Sequence, residues 1–374
     1  GSVSNDAGLI AAGLNLAVDT HTQSLSNLDG SANPDRALGL GLVAGGQLTI
    51  HSGALDNRAG LISAQTGVEI ASAGALDNAA RNGHAGRIYS GADLVVQASG
   101  LDNSAGQVLA VGAADVQLGG GTLNNSVGLV RVGQTLSLAA GAVNNASTKA
   151  GDAGIEGNTI VIATANLNNM DGAVRAGQDL SIRSDGQINN NQGELSAGRA
   201  LQTTTHQAAT PSLALSNAGG EIVADQSVGV RTGTLSGAGN IASKGNVSLA
   251  MQGDHTLAGT LQAGGDLQLQ ATGTLTNTVS VQAGRNLSAH AANLDNWVGA
   301  ELVSGETTTL GVAGTLTNRG LIDGADTHVQ ASLVNNLGTG RIYGDRVAIG
   351  ASSVNNLDET IGGITSAATI AGRQ

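Results

Sequence analysis

Four aspartates, Asp56, Asp77, Asp102 and Asp295, each stand immediately before an asparagine. Carboxylates recurring at one position of a repeated unit would lie one above another, close enough to hold Ca2+ or to share general-acid and general-base work. Polysaccharide lyases and hydrolases need such a cluster on one outward face. In the following units, however, the same slot carries Asn124, Asn144, Asn168 and Asn189. Asparagine has no proton to exchange, whereas both residue types serve turns through short hydrogen-bonding side chains. The slot reads as turn chemistry. No catalytic residue is expected, and a polysaccharide-cleaving enzyme ranks below the structural and binding readings.

Metal and cofactor chemistry is as thin. His21, His51, His84, His206, His255, His290 and His328 show neither H-E-x-x-H nor any paired ligand spacing. Gly264-Gly265-Asp266 has the look of one calcium-binding nonapeptide unit but does not recur in tandem, so it reads as a turn. The chain has no cysteine, hence no thiolate site and no disulfide. No metal site and no cofactor is expected. A net charge of −12, with lysine only at Lys149 and Lys244, repels nucleic acid and anionic lipid headgroups. No apolar run approaches the 18 or so residues of a membrane span, so no membrane insertion is expected.

Surface binding is the chemistry that stays within reach. Three insertions interrupt the repeat just after Asn27, Asn78 and Asn145, and they carry Arg36, Arg81, His84 and Lys149 in a chain poor in cations. Leaving from one corner, they would form a polar ridge for a host or bacterial cell-surface receptor or glycan. A fourth insertion, from Thr203 to Pro211, leaves from a different corner. Trp297, the single tryptophan, follows Asn296 on a turn and would stack on a sugar if exposed. The bland alternative is drift, since surface loops accept insertions at small cost.

What positions these residues is a repeat. An aliphatic residue stands two before each of Asn5, Asn27, Asn57, Asn78, Asn103, Asn125, Asn145, Asn169, Asn190, Asn217, Asn277, Asn296, Asn318, Asn336 and Asn356. Leu235 with Gly237 and Leu257 with Gly259 are read as two further copies with glycine for asparagine. The mean interval is about 22 residues. Between anchors, pairs such as Leu136 and Leu138, Leu180 and Ile182, and Leu267 and Leu269 alternate with small polar residues. Period two argues for short half-buried strands, and stripes of helical period are missing.

Strands of three to five residues in a ~22-residue unit describe one coil of a parallel β-helix, and parallel crossovers make it right-handed. The expectation is an all-β, right-handed, single-stranded parallel β-helix of about 17 coils. It spans residues 1–374 as one continuous domain and forms a monomeric rod of roughly 80 Å. Asn57, Asn78, Asn103, Asn125, Asn145, Asn169 and Asn190 are expected to stack as an amide ladder and to occupy left-handed turn positions that glycine also tolerates. The core must be aliphatic, because Tyr89, Trp297 and Tyr343 are the only aromatics. Gly1-Ser2 reads as a cloning remnant, and the whole as a piece of a longer protein.

At this point the residues resemble a known family. Leu55-Asp56-Asn57-Arg58-Ala59-Gly60-Leu61-Ile62-Ser63-Ala64 is similar to the haemagglutinin repeats of filamentous haemagglutinin-type exoproteins. These are large partners of two-partner secretion systems in Gram-negative bacteria, contact-dependent growth inhibition effectors among them. The resemblance covers essentially the whole chain. It implies a virulence-associated adhesin filament that is exported by an outer-membrane transporter and held at the cell surface. In that setting this segment is a shaft presenting a distal adhesive or toxin-delivery region to other cells.

Overall fold

The computed structural model describes residues 1–30, 40–205 and 211–373. It is all-β, a parallel β-solenoid of about 17 turns without helix, the fold class expected from the repeat. Two compact units divide the chain, Gly1–Ala197 and Gly198–Gln374.

In the first unit each coil contributes three strands, and each strand pairs in parallel with its counterpart one coil on. The corner strands stack as Leu25–Ser26, Leu55–Asp56, Leu76–Asp77 and Leu101–Asp102. A second wall stacks Gly41–Ala44, Leu61–Ala64, Arg87–Ser90 and Gln107–Ala110. A third stacks Gln47–Ser52, Gly67–Ser72, Asp93–Gln97 and Ala114–Gln117. In the middle of the unit, Leu129–Asn144 and Gly154–Asn168 run through all three walls as long bent strands. The second unit repeats this order, for example Leu267–Ala271 on Leu287–Ala291 and Thr274–Asn277 on Asn293–Asn296.

Registry explains the core. Because coils pair residue for residue, like stacks on like: Ile50, Ile70, Val96, Val116, Leu138, Ile162 and Ile182 form one inward column, each nearly fully buried. Each such side chain contributes about 1.5–3 kcal/mol when buried, and its apolar partners lie on the coils either side. A single coil has no core of its own, so stability is shared between neighbours. Tyr89 and Tyr343 lie beside the buried Ile88 and Ile342 and are half-buried, as strand alternation requires.

Two expectations about the turns need correction. Left-handed backbone falls two residues after the anchor asparagine, not on it: Ala7, Asp29, Ala59, Ala105, Val127, Ser147, Asp171 and Gln192 carry φ between 48° and 60°. The asparagines are conserved along the chain for their side chains instead. In the second unit, Gly237 does take the slot after Ser236, which pairs with Ser216, and its φ is +91°. Gly259 does not: Leu257 is the residue in register with Asn277, so a buried leucine fills that slot.

Candidate functional site

The corner where strands end on asparagine gathers most of the polar side chains singled out above. The anchor asparagines turn their amides inward and are buried, except Asn356, which is exposed. Asn5 Nδ2 donates to Asn27 Oδ1 at 2.8 Å. The relay continues through Asn57, Asn78, Asn103, Asn125, Asn145 and Asn169 to Asn190 at 2.7–2.8 Å. The same amides also reach backbone carbonyls further on, as Asn145 does to Ala173 at 2.8 Å and Asn169 to Glu194 at 3.1 Å. In the second unit the relay runs from Asn277 through Asn296, Asn318 and Asn336 to Asn356 at 2.7–2.9 Å. The seven asparagines from Asn57 to Asn190 are fully buried, and burial is tolerable because their amides are hydrogen-bonded.

A second amide ladder lies one residue earlier and runs the opposite way. Asn144 donates back to Asn124, Asn168 to Asn144 and Asn189 to Asn168, at 3.0–3.1 Å. It ends on a carboxylate, where Asn124 donates to Asp102 at 3.0 Å. Asp102, Asp77 and Asp56 then stack in register. Arg58 clamps Asp56 at 2.6 Å and reaches Asp77 at 3.4 Å. Burial pushes the Asp77 carboxyl above the ordinary carboxylate range, and repulsion from Asp102 and Asp56 adds to it. The Ala79 N–H and Arg58 pull the other way. Among the described residues, no group of three or more His, Asp or Glu is placed to hold a metal ion.

This sets a pH expectation. With its pKa raised, folded Asp77 holds a proton more tightly than the unfolded chain does. The stability it contributes is present at acid pH and is lost as pH rises through the raised pKa. Asp77→Asn removes the repulsion and supplies the residue found at this slot in later coils. The variant should melt higher than the parent in neutral buffer, and calorimetry in acid buffer should show the gap closing.

The residues expected to contact a ligand are dispersed. Arg36 and His206 lie outside the described residues. Arg81 and His84 close a hairpin through paired backbone hydrogen bonds, with Asn82 (φ 53°) and Gly83 (φ 80°) as a primed two-residue turn. Arg81 reaches back two coils to an ion pair with Asp29 at 3.0 Å. Lys149, three coils further along and so about 14 Å away, reaches forward and donates to the Gln192 carbonyl at 3.1 Å. Trp297 belongs to the second unit and is 58% exposed beside the equally exposed Val298. The fold thus brings Arg81 and His84 to one tip and turns Lys149 away from them.

A row of ion pairs went unforeseen. Arg131, Glu156 and Arg175 occupy one outward position on successive coils. Glu156 pairs with Arg131 at 2.7 Å and with Arg175 at 3.5 Å, Glu194 joins Arg175 at 3.0 Å, and Asp152 from the insertion joins Arg131. Their spacing of one unit was the available signal.

The haemagglutinin repeat family model matches residues 1–80, 78–136, 163–220, 214–279 and 265–371. No curated protein and no solved structure matches the chain significantly. Repeats over nearly the whole length, folded as stacked coils, fit a filamentous haemagglutinin-like adhesin segment. The chain belongs to the haemagglutinin-repeat family, as a segment of the filamentous haemagglutinin type.

Proposed function

We propose that this chain is a shaft segment of a secreted, cell-surface filament, one continuous run of coils whose task is reach and stiffness and not catalysis. The observation that supports this reading is the buried amide relay, which ties coil to coil from Asn5 to Asn190 and again from Asn277 to Asn356. A segment so built holds a distal adhesive or toxin-delivery region away from the producing cell. Its lack of cysteine suits threading unfolded through an outer-membrane two-partner transporter, because no disulfide can form before export.

The second reading, an adhesin segment that itself binds a receptor or glycan, is favoured by one observation, the exposure of Trp297 and Val298. Fluorescently labelled chain is expected to show no saturable binding to bacterial or epithelial cells. Saturable binding that is lost in Trp297→Ala, or on deleting residues 80–85, would replace the shaft reading with the adhesive one.

A further inference from the structure

At one corner of the second unit the stacking is incomplete. Thr234–Ser236 pairs with Ala214–Ser216 of the coil before it, and His255–Leu257 pairs with Thr274–Asn277 of the coil after it. Among the described residues no strand pairing joins Thr234–Ser236 to His255–Leu257, although these two face each other across the same corner. The side chains do not make up the loss. Gly237 and Leu257 fill the ladder slot, so no amide can relay between them. The inward slot that holds Leu275 in the next coil is taken by His255, whose Nε2 lies 2.7 Å from the Gln252 carbonyl. A cleft opens here, lined among others by Leu235, Gly237, Thr256, Leu257 and Ala258. Ser236, Gly237, Ala238 and Ala258 at its rim are exposed.

The consequence follows from how a solenoid is stabilised. Backbone groups left without strand partners must turn to water, and a coil's stability comes mainly from its interfaces with its neighbours. The interface between residues 234–251 and 255–271 keeps two of its three walls, Gly239–Ser243 on Gly259–Ala263 and Asn246–Met251 on Leu267–Ala271. The two interfaces that flank it keep all three walls though no amide rung, and the one beyond, between residues 274–291 and 293–312, keeps all three walls and the Asn277–Asn296 rung besides.

We propose that this corner is a built-in yielding point, where the second unit opens first when the coils are pulled or thermally agitated. Opening at one interface relieves strain while the flanking coils, each still fully paired on its far side, stay folded.

Hydrogen exchange of the whole chain under native conditions tests this, read at amides that are hydrogen-bonded in the structure and not at the unpaired corner itself. Amides of Gly259–Ala263 and Leu267–Ala271 are expected to exchange about tenfold or more faster than those of Glu301–Ser304 and Thr307–Val312, after correction for intrinsic rates. The two faster walls should share one opening rate. Protection equal within about twofold across both interfaces, or faster exchange at the fully paired one, would overturn the proposal.

Discussion

Gly128→Ala is expected to destabilise the first unit by about 3 kcal/mol or more, among the largest effects of any single methyl group in this chain. Gly128 does not have a left-handed backbone; its constraint is space. A Cβ there would lie 2.2 Å from the Asn103 carbonyl oxygen and 2.7 Å from Asn125 Oδ1. The same glycine, three after the anchor, recurs as Gly60, Gly106, Gly172 and Gly193, each with the preceding coil's asparagine carbonyl at 1.9–2.2 Å from where a Cβ would sit. The methyl group can fit only if the turn lifts away, which breaks the amide relay running beneath it. Gly120→Ala is the matched control. Nothing lies within 4 Å of its Cβ position, so the urea midpoint should barely move.

Asn125→Ala should cost about 3–4 kcal/mol, against about 1 kcal/mol or less for its neighbour Asn124→Ala. Asn125 accepts from Asn103 at 2.7 Å, and donates to Asn145 at 2.8 Å and to the Gly154 carbonyl at 3.2 Å, all in a buried setting. Its removal deprives buried groups on two other coils of a partner and leaves a void where water has no ready access. Asn124 makes comparable contacts, to Asp102 and from Asn144 at 3.0 Å, but at a half-buried position where water replaces what is lost. The two urea midpoints, measured side by side, check the difference. Equal losses would mean that the inner ladder is decoration.

The parallel solenoid was legible because its signal is redundant: alternation in pairs such as Leu180 and Ile182, aliphatics two before each asparagine, and a period sustained over the chain. The turn conformation was not legible, because asparagine suits both left-handed backbone and a buried amide ladder, and sequence alone does not separate these uses. Only the geometry places φ > 0 at residues such as Ala59 and Val127. The false copy at Gly259 has a similar origin. Leu257-Ala258-Gly259 reproduces the leucine-to-glycine spacing of Leu235 and Gly237, but strand pairing sets Leu257 opposite Asn277. The even step of twenty from Gly237 to Leu257 to Asn277 was the better guide. Cations in the insertions drew attention by their rarity, yet partners such as Asp29 for Arg81 stand two coils away and emerge only with the register.

Everything above depends on buried amides coupling successive coils wherever the relay runs, as it does from Asn5 to Asn190. A double-mutant cycle on Asn103 and Asn125 measures that coupling directly, with each stability taken from hydrogen exchange of the Leu129–Asn144 strand. The account predicts that the double alanine variant loses about 1 kcal/mol or more less than the sum of the two single variants, because the 2.7 Å bond between them is lost only once. Additivity within about 0.3 kcal/mol would contradict it, and would leave aliphatic packing alone to hold the coils in line.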